Sequence, residues 1–249
     1  MTAAGATPLR TLAFGDVDGD IWGTALGTAT PIALFGDPAG NSASSLIEGG
    51  WSADGPNWRL VGDGVTLDVT AGGEEAPPPQ TASPEAVSGF QELCRVRGTL
   101  SLSGSARAVD CVGTRCSIDG VDINSLGSAR AVSAWFADDE ALTVLALRRS
   151  GATEQESDLI AATLFDPEGW VPVQDPRLST TYSGSGAPAR CSLELWVGEG
   201  ENEFPRRAAG EAAGAAAVRH NPDVELRATP LRCHSRGREG SGIYLLATF

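Results

Sequence analysis

The sequence predicts an all-β protein made of antiparallel sheets that curl and close, and three observations carry that prediction. Short apolar runs with period-two alternation recur along the whole chain, at a spacing of roughly 8–15 residues. Turn residues separate them, at Gly62-Asp63-Gly64, Asp138-Asp139, Gly151, Asp166-Pro167-Glu168-Gly169 and Gly184-Ser185-Gly186. Only Glu201 to Val218 has a helix-favouring composition, and its internal Gly210 and Gly214 weaken a helix by about 1 kcal/mol each. That stretch reads as one short helix or as a strand plus loop.

Taken in order, strands are expected at Leu9 to Phe14, Ile21 to Leu26, Pro31 to Phe35, Asn57 to Val61 and Val65 to Val69. Asp16-Val17-Asp18-Gly19-Asp20 looks like the start of a calcium loop, but Ile21 and Gly27 stand where that loop needs Gly and Glu. A type I′ hairpin turn at Asp18-Gly19 is the expectation instead. Ala71 to Ala86, with its triple proline at 77–79, cannot continue a sheet and reads as an exposed loop or linker. Strands then resume at Glu92 to Leu102, Ala106 to Val112 and Cys116 to Ile123. The second half supplies Ala129 to Phe136, Ala141 to Arg148, Asp158 to Phe165, Leu178 to Tyr182, Ala189 to Val197, Val224 to Cys233 and Ile243 to Thr248. Gly-Ser-Ala-Arg-Ala-Val occurs at 104–109 and again at 127–132, where a structural repeat would have each copy open a strand after a glycine turn.

Composition removes several kinds of chemistry. The chain has no lysine, so Schiff-base catalysis, pyridoxal chemistry, a P-loop lysine and a Ser-x-x-Lys acyl-transfer site are excluded. Arginine supplies every cationic side chain and stays protonated. Acidic residues outnumber arginines 32 to 18, and a net charge of −14 repels phosphate backbones and anionic lipid, so no nucleic-acid partner is expected. No run of 18 apolar residues exists, and Met1 to Gly15 lacks a basic region followed by an apolar stretch. A soluble, cytoplasmic protein without a membrane span is expected.

The five cysteines, Cys94, Cys111, Cys116, Cys191 and Cys233, are widely spaced and odd in number, which suits buried free thiols in a reducing compartment. Cys111 and Cys116 could flank a turn at Val112 to Arg115. A zinc site from these two and Cys233-His234 matches no standard ligand spacing, and no metal is expected. No Gly-x-Ser-x-Gly elbow and no dinucleotide-binding glycine motif is present, and no cofactor is called for.

The most suggestive residues are polar groups on tryptophan-bearing strands. Ser192, Glu194 and Trp196 share one face, opposite Leu193, Leu195 and Val197; Ala131, Ser133 and Trp135 oppose Val132, Ala134 and Phe136. Ligand-holding barrel interiors are lined by aromatics with a few polar groups. Equally, Glu194 and Arg190 can form a solvated outer face with Trp196 partly covered.

Ser128-Ala129-Arg130-Ala131-Val132-Ser133-Ala134-Trp135-Phe136, Arg177-Leu178-Ser179-Thr180-Thr181-Tyr182, Leu193-Glu194-Leu195-Trp196 and Gly240-Ser241-Gly242-Ile243-Tyr244 together resemble the tandem lipocalin-like superfamily. That superfamily includes carotenoid 1,2-hydratases and AttH-type proteins, and the chain is also similar to proteins of high-GC bacteria. The resemblance implies two calycin-like barrels packed in tandem, 1–125 and 126–249, with the Pro-rich segment as a loop in the first. A junction at that segment instead would leave about 70 residues ahead of it, short for a closed barrel of about eight strands. The Arg-Asp-His-Ser-Trp-Gly type of motif common in the family is not recognisable around 113–136, so no catalytic role carries over residue by residue.

Three functions are compatible with this reading. The first is binding of a small apolar molecule, isoprenoid- or polyketide-like, against Arg130, Trp135, Tyr182, Trp196 and His234. The second is a cofactor-independent hydratase or cyclase in the same cavity. Its acid would be Asp158 or Glu194 with a pKa raised by burial, and Arg130 or Tyr182 would orient the substrate. The third is a structural or interaction protein with filled barrels. Nothing in the sequence selects an oligomeric state.

Overall fold

The computed structural model describes residues 8–72, 88–153, 159–198 and 204–249. Those residues form two antiparallel sheets, with one turn of 3-10 helix, η1 (Ile123–Ser125), on the chain between them. In the first sheet β1 (Leu9–Gly15), β2 (Trp22–Gly27), β3 (Ile32–Gly36) and β4 (Ser42–Leu46) meander outwards from the centre. The chain then crosses to the opposite edge. From there β5 (Trp51–Asp54), β6 (Asn57–Gly62), β7 (Val65–Ala71), β8 (Ser88–Leu102) and β9 (Ser105–Asp119) return until β9 pairs with β1.

The second sheet repeats this path. β10 (Leu126–Ala137), β11 (Glu140–Arg149), β12 (Leu159–Asp166) and β13 (Gly169–Pro172) run outwards. β14 (Asp175–Tyr182), β15 (Pro188–Val197), β16 (Phe204–Ala212), β18 (Glu225–Ser235) and β19 (Arg238–Thr248) run back, and β19 pairs with β10. The short β17 (Ala217–His220) adds to β18.

Each sheet curls until strands from its two ends approach: a Cβ on Gly62 of β6 would stand 2.4 Å from the carbonyl oxygen of Leu46 at the end of β4, and β12 lies against β14 in the second sheet. Gly49 and Gly50, bonded to Val61, extend the β5–β6 ladder, and Gln174, bonded to the Trp196 carbonyl (2.9 Å), extends the β14–β15 ladder.

Side-chain alternation divides the apolar residues into three cores. Leu12, Phe14, Trp58, Leu60, Leu67, Val96 and their neighbours fill the first barrel. Val132, Val144, Leu164, Leu193, Leu195 and Tyr244 fill the second. The third core lies between the barrels, where Leu9, Trp22, Leu26, Val112 and Ile118 meet Trp135, Leu145, Leu147, Ile243 and Leu245. Strands that face the other barrel therefore bury both faces: β2 and β3 are buried throughout and read as near-continuous apolar runs. Strands that face water, such as β7 and β15, alternate. Close approach needs glycine at two points around Trp135: across the junction a Cβ on Gly15 would stand 3.2 Å from the Trp135 ring, and within the second sheet one on Gly240 would stand 2.1 Å from the Trp135 carbonyl oxygen.

Two groups of buried polar residues interrupt the cores. Inside the first barrel the Arg115 guanidinium donates twice to Glu92 Oε2, at 2.9 and 2.5 Å. Its carbon lies 5.1 Å from the ring centres of both Trp58 and Phe90. Between the barrels, hydroxyls replace a strip of apolar contact. Thr114 and Ser133 hydrogen-bond across the junction (2.7 Å), and Thr163 donates to Gln91 Oε1 (2.5 Å).

The structure departs from the sequence reading at several points. Cys111 and Cys116 do not flank a turn, because β9 runs unbroken from Ser105 to Asp119; an odd separation along one strand sends the two thiols to opposite faces. The β1–β2 connection is wider than a type I′ turn: Gly19 N–H bonds the Asp16 carbonyl, Asp18 N–H bonds the Asp16 side chain, and positive φ occurs at Gly19 but not Asp18. Residues 204–220 form β16, a loop and β17, so the strand-plus-loop alternative holds there. The polar β4 and the short β5, β13 and β17 carried too little apolar signal to be read. Both Gly-Ser-Ala-Arg-Ala-Val copies enter strands, but β9 ends the first sheet and β10 begins the second. The repeat therefore lies in the path of the chain and not in that hexapeptide. The Pro-rich segment lies outside the described residues apart from Ala71 and Gly72. No helix of the described residues is long and apolar enough to cross a membrane.

Two outcomes follow from the buried groups. Removing one partner of a buried ion pair strands the other, so Glu92→Gln should lower stability by about 3 kcal/mol in denaturant unfolding. The double variant Glu92→Leu/Arg115→Met should lose less than either single change, and a strictly additive loss would contradict the pairing. All five cysteines are free and buried. Burial pushes the thiols of Cys111 and Cys116 up to about 12 and that of Cys191 to about 11, and raises Cys94 and Cys233 further. Raised values leave almost no thiolate near pH 8, so a disulfide reagent should titrate no thiol in the native protein and all five after denaturation.

Candidate functional site

Both barrel lumens are occupied by side chains, so space for a ligand lies at their margins. The cleft that draws on both sheets holds about 370 Å³, within the range of small-molecule sites. Leu93, Arg95 and Val112 line it from β8 and β9 of the first sheet. The second sheet contributes Asp138 and Asp139 from the β10–β11 turn, then Phe165, Asp166, Pro167, Gly169 and Trp170 from the end of β12 into β13.

Strand periodicity explains the chemistry of its walls. Leu93, Val112 and Phe165 continue the apolar inter-barrel core out to the surface. Two residues deeper on the same faces stand Gln91, Thr114 and Thr163, members of the buried hydroxyl and amide strip. The Gln91 amide nitrogen has no hydrogen-bond partner among the described residues, and Gln91 is fully buried. Such a donor marks the junction as polar at its base and apolar at its rim.

Charge on the rim is mostly negative. Arg95 is held by Asp110 (2.5 Å) and lies 3.6 Å from Asp138. The bond to Asp110 raises the Arg95 pKa and lowers that of Asp110, so this guanidinium is already committed. Asp139 and Asp166 complete the edge. A neutral or cationic ligand fits this field better than an anionic one.

The residues singled out from sequence are dispersed. Trp135 is fully buried in the inter-barrel core with Ala129 and Ala141. Glu194 and Trp196 share the outward face of β15, where Glu194 reaches Arg207 at 3.2 Å and Arg177 at 3.9 Å. His234 is exposed on the outward face of β18, between Ala209 and Glu239. Asp158 lies outside the described residues. Arg130 and Tyr182 are brought together at one end of the second barrel, around the buried Tyr244. Its hydroxyl is 2.8 Å from Thr180 Oγ1, and burial raises its pKa against the opposing effects of the Thr180 hydrogen bond and the Arg130 charge. Leu93, Val112, Phe165 and Trp170 were not singled out from sequence as site residues; a tryptophan directly after Asp166-Pro167-Glu168-Gly169 was the signal to follow, since a turn seldom exposes an indole without use.

No family model and no curated protein matches the sequence. Solved structures do. CghA superposes with a TM-score of 0.65 at 15% identity, over 98% of this chain and 88% of that one. A putative AttH from Nitrosomonas europaea superposes with a TM-score of 0.58 at 12% identity, over 97% and 91% of the two chains. Kievitone hydratase from Nectria haematococca gives 0.55 at 10% identity, over 96% and 87%. Identity this low speaks for architecture alone, and the architecture agrees over nearly the whole length: the chain has the tandem lipocalin-like fold.

Proposed function

We propose that this protein binds a small, predominantly apolar and uncharged molecule, of isoprenoid or polyketide type, in the cleft between its two barrels. The observation that carries the proposal is the cleft itself: about 370 Å³ walled by Leu93, Val112, Phe165 and Trp170, with buried hydroxyls and the spare Gln91 amide behind them. Apolar walls supply affinity, and the few polar groups set orientation. CghA has also been solved with Sch210972, which supports a small-molecule role for the architecture.

A catalytic reading uses the same space. Hydration of an alkene calls for a carboxylic acid buried enough to stay protonated. Asp138 is 78% exposed, and Glu194 sits among surface arginines outside the cleft. The geometry therefore favours confinement and hydrogen-bond orientation of a folded chain, as in a cyclisation, over proton donation by either of these carboxylates.

Titration with farnesol, followed by tryptophan emission and calorimetry, tests the binding reading. Saturable binding should weaken about ten-fold in Trp170→Ala and in Phe165→Ala, consistent with loss of an aromatic anchor. Farnesoic acid should bind less well than farnesol because of the aspartate rim. Absence of saturable binding across farnesol, geraniol and neutral polyketide lactones, or binding indifferent to both substitutions, would overturn the proposal.

A further inference from the structure

At the mouth of the first barrel a separate pocket of about 400 Å³ is walled by Arg10, Gly27, Thr28, Pro31, Ile47 and Trp51, with Glu48 on its rim. The geometry points to a second binding site here, for a planar apolar carboxylate such as an aromatic acid. It shares no residue with the inter-barrel cleft and is independent of the reading given to that cleft.

Arg10 follows the inward alternation of Leu12 and Phe14, so its stem runs into the barrel mouth. Carboxylates outnumber arginines 32 to 18 in this chain, yet the Arg10 guanidinium, half-buried, has no ion-pair or hydrogen-bond partner among the described residues. Glu48 shares the pocket but is exposed, where water and salt screen it; the half-buried cation keeps the stronger local field.

Opposite Arg10 lies a flat apolar surface. The Trp51 indole N–H is buried away from solvent, which leaves the carbon part of the ring to face the pocket. Trp51 is backed edge-on by Trp58 at 5.4 Å. Gly27 keeps the slot open: a Cβ there would lie 3.0 Å from the Arg10 Cβ and 3.4 Å from the Trp51 ring, filling the gap between the Arg10 stem and the indole. The loop that closes the pocket is held in advance. Thr28 Oγ1 donates to the Thr30 carbonyl (2.9 Å), and Asn221 of the second barrel donates to the same oxygen (3.3 Å). A guanidinium fork and an indole lining one pocket suit a carboxylate carried on a flat ring.

The test is calorimetric titration of the full chain with 2-naphthoate and its neutral isostere 2-naphthamide. Naphthoate should bind more tightly than the amide. Arg10→Gln should weaken naphthoate about ten-fold or more while leaving the amide unchanged, as loss of one charge-assisted contact predicts. Ala29→Phe places a ring in the mouth from an exposed position and should block both probes without lowering the unfolding temperature. Trp170→Ala, in the other cleft, should leave naphthoate binding intact. No naphthoate binding up to ~1 mM, equal affinity for acid and amide, or binding that survives Arg10→Gln and Ala29→Phe but is lost in Trp170→Ala would each overturn the inference.

Discussion

Strands apolar on both faces hold this molecule together. Each sheet must bury one face inside its own barrel, and the strands at the junction must bury the other against the second barrel as well. That double demand explains why Ile32-Ala33-Leu34-Phe35 reads as an unbroken apolar run and Ala141 to Leu147 as one broken only by Thr143, while Val65-Thr66-Leu67-Asp68-Val69 alternates. It also explains the polar strip at the junction. Thr114, Ser133, Thr163 and Gln91 pair across the two sheets, and such pairing pins one relative placement of the barrels where apolar contact alone would tolerate sliding.

The two halves follow the same strand path but place different chemistry at the same topological point. Arg115 on the last strand of the first sheet pairs with Leu12 on its first strand; Tyr244 on the last strand of the second sheet pairs with Val132 on its first. Each is an inward-facing buried polar group, one paired with Glu92 and the other hydrogen-bonded to Thr180. Occupied lumens of this kind leave little room within, and the usable space moves to the seam between barrels and to the mouth of the first. Those two spaces have opposite electrical character, one edged by aspartates and the other presenting an arginine with no partner among the described residues.

Much of the fold was legible because alternation is a local property of a strand. Inward and outward sets were readable for Leu193, Leu195 and Val197 against Glu194 and Trp196. Reading them as a solvated outer face was also open from sequence, and the ion pairs of Glu194 agree with that alternative. Polar strands such as Ser42–Leu46 escaped notice because their partners, and not their own composition, hold them in the sheet. The site was far less legible. Leu93, Val112, Phe165 and Trp170 lie far apart along the chain, and nothing local to any of them announces a shared wall.

The sequence alone therefore determined the class of structure, the absence of lysine-dependent chemistry, the acidic field and the positions of most strands, since each depends on composition or near-neighbour periodicity. Tertiary structure decided which face of each strand is inside, which tryptophans are covered by the second barrel and where empty volume remains. Those depend on how far each sheet curls and which distant strand comes to lie against it, a matter of long-range packing that residue order along one strand does not encode.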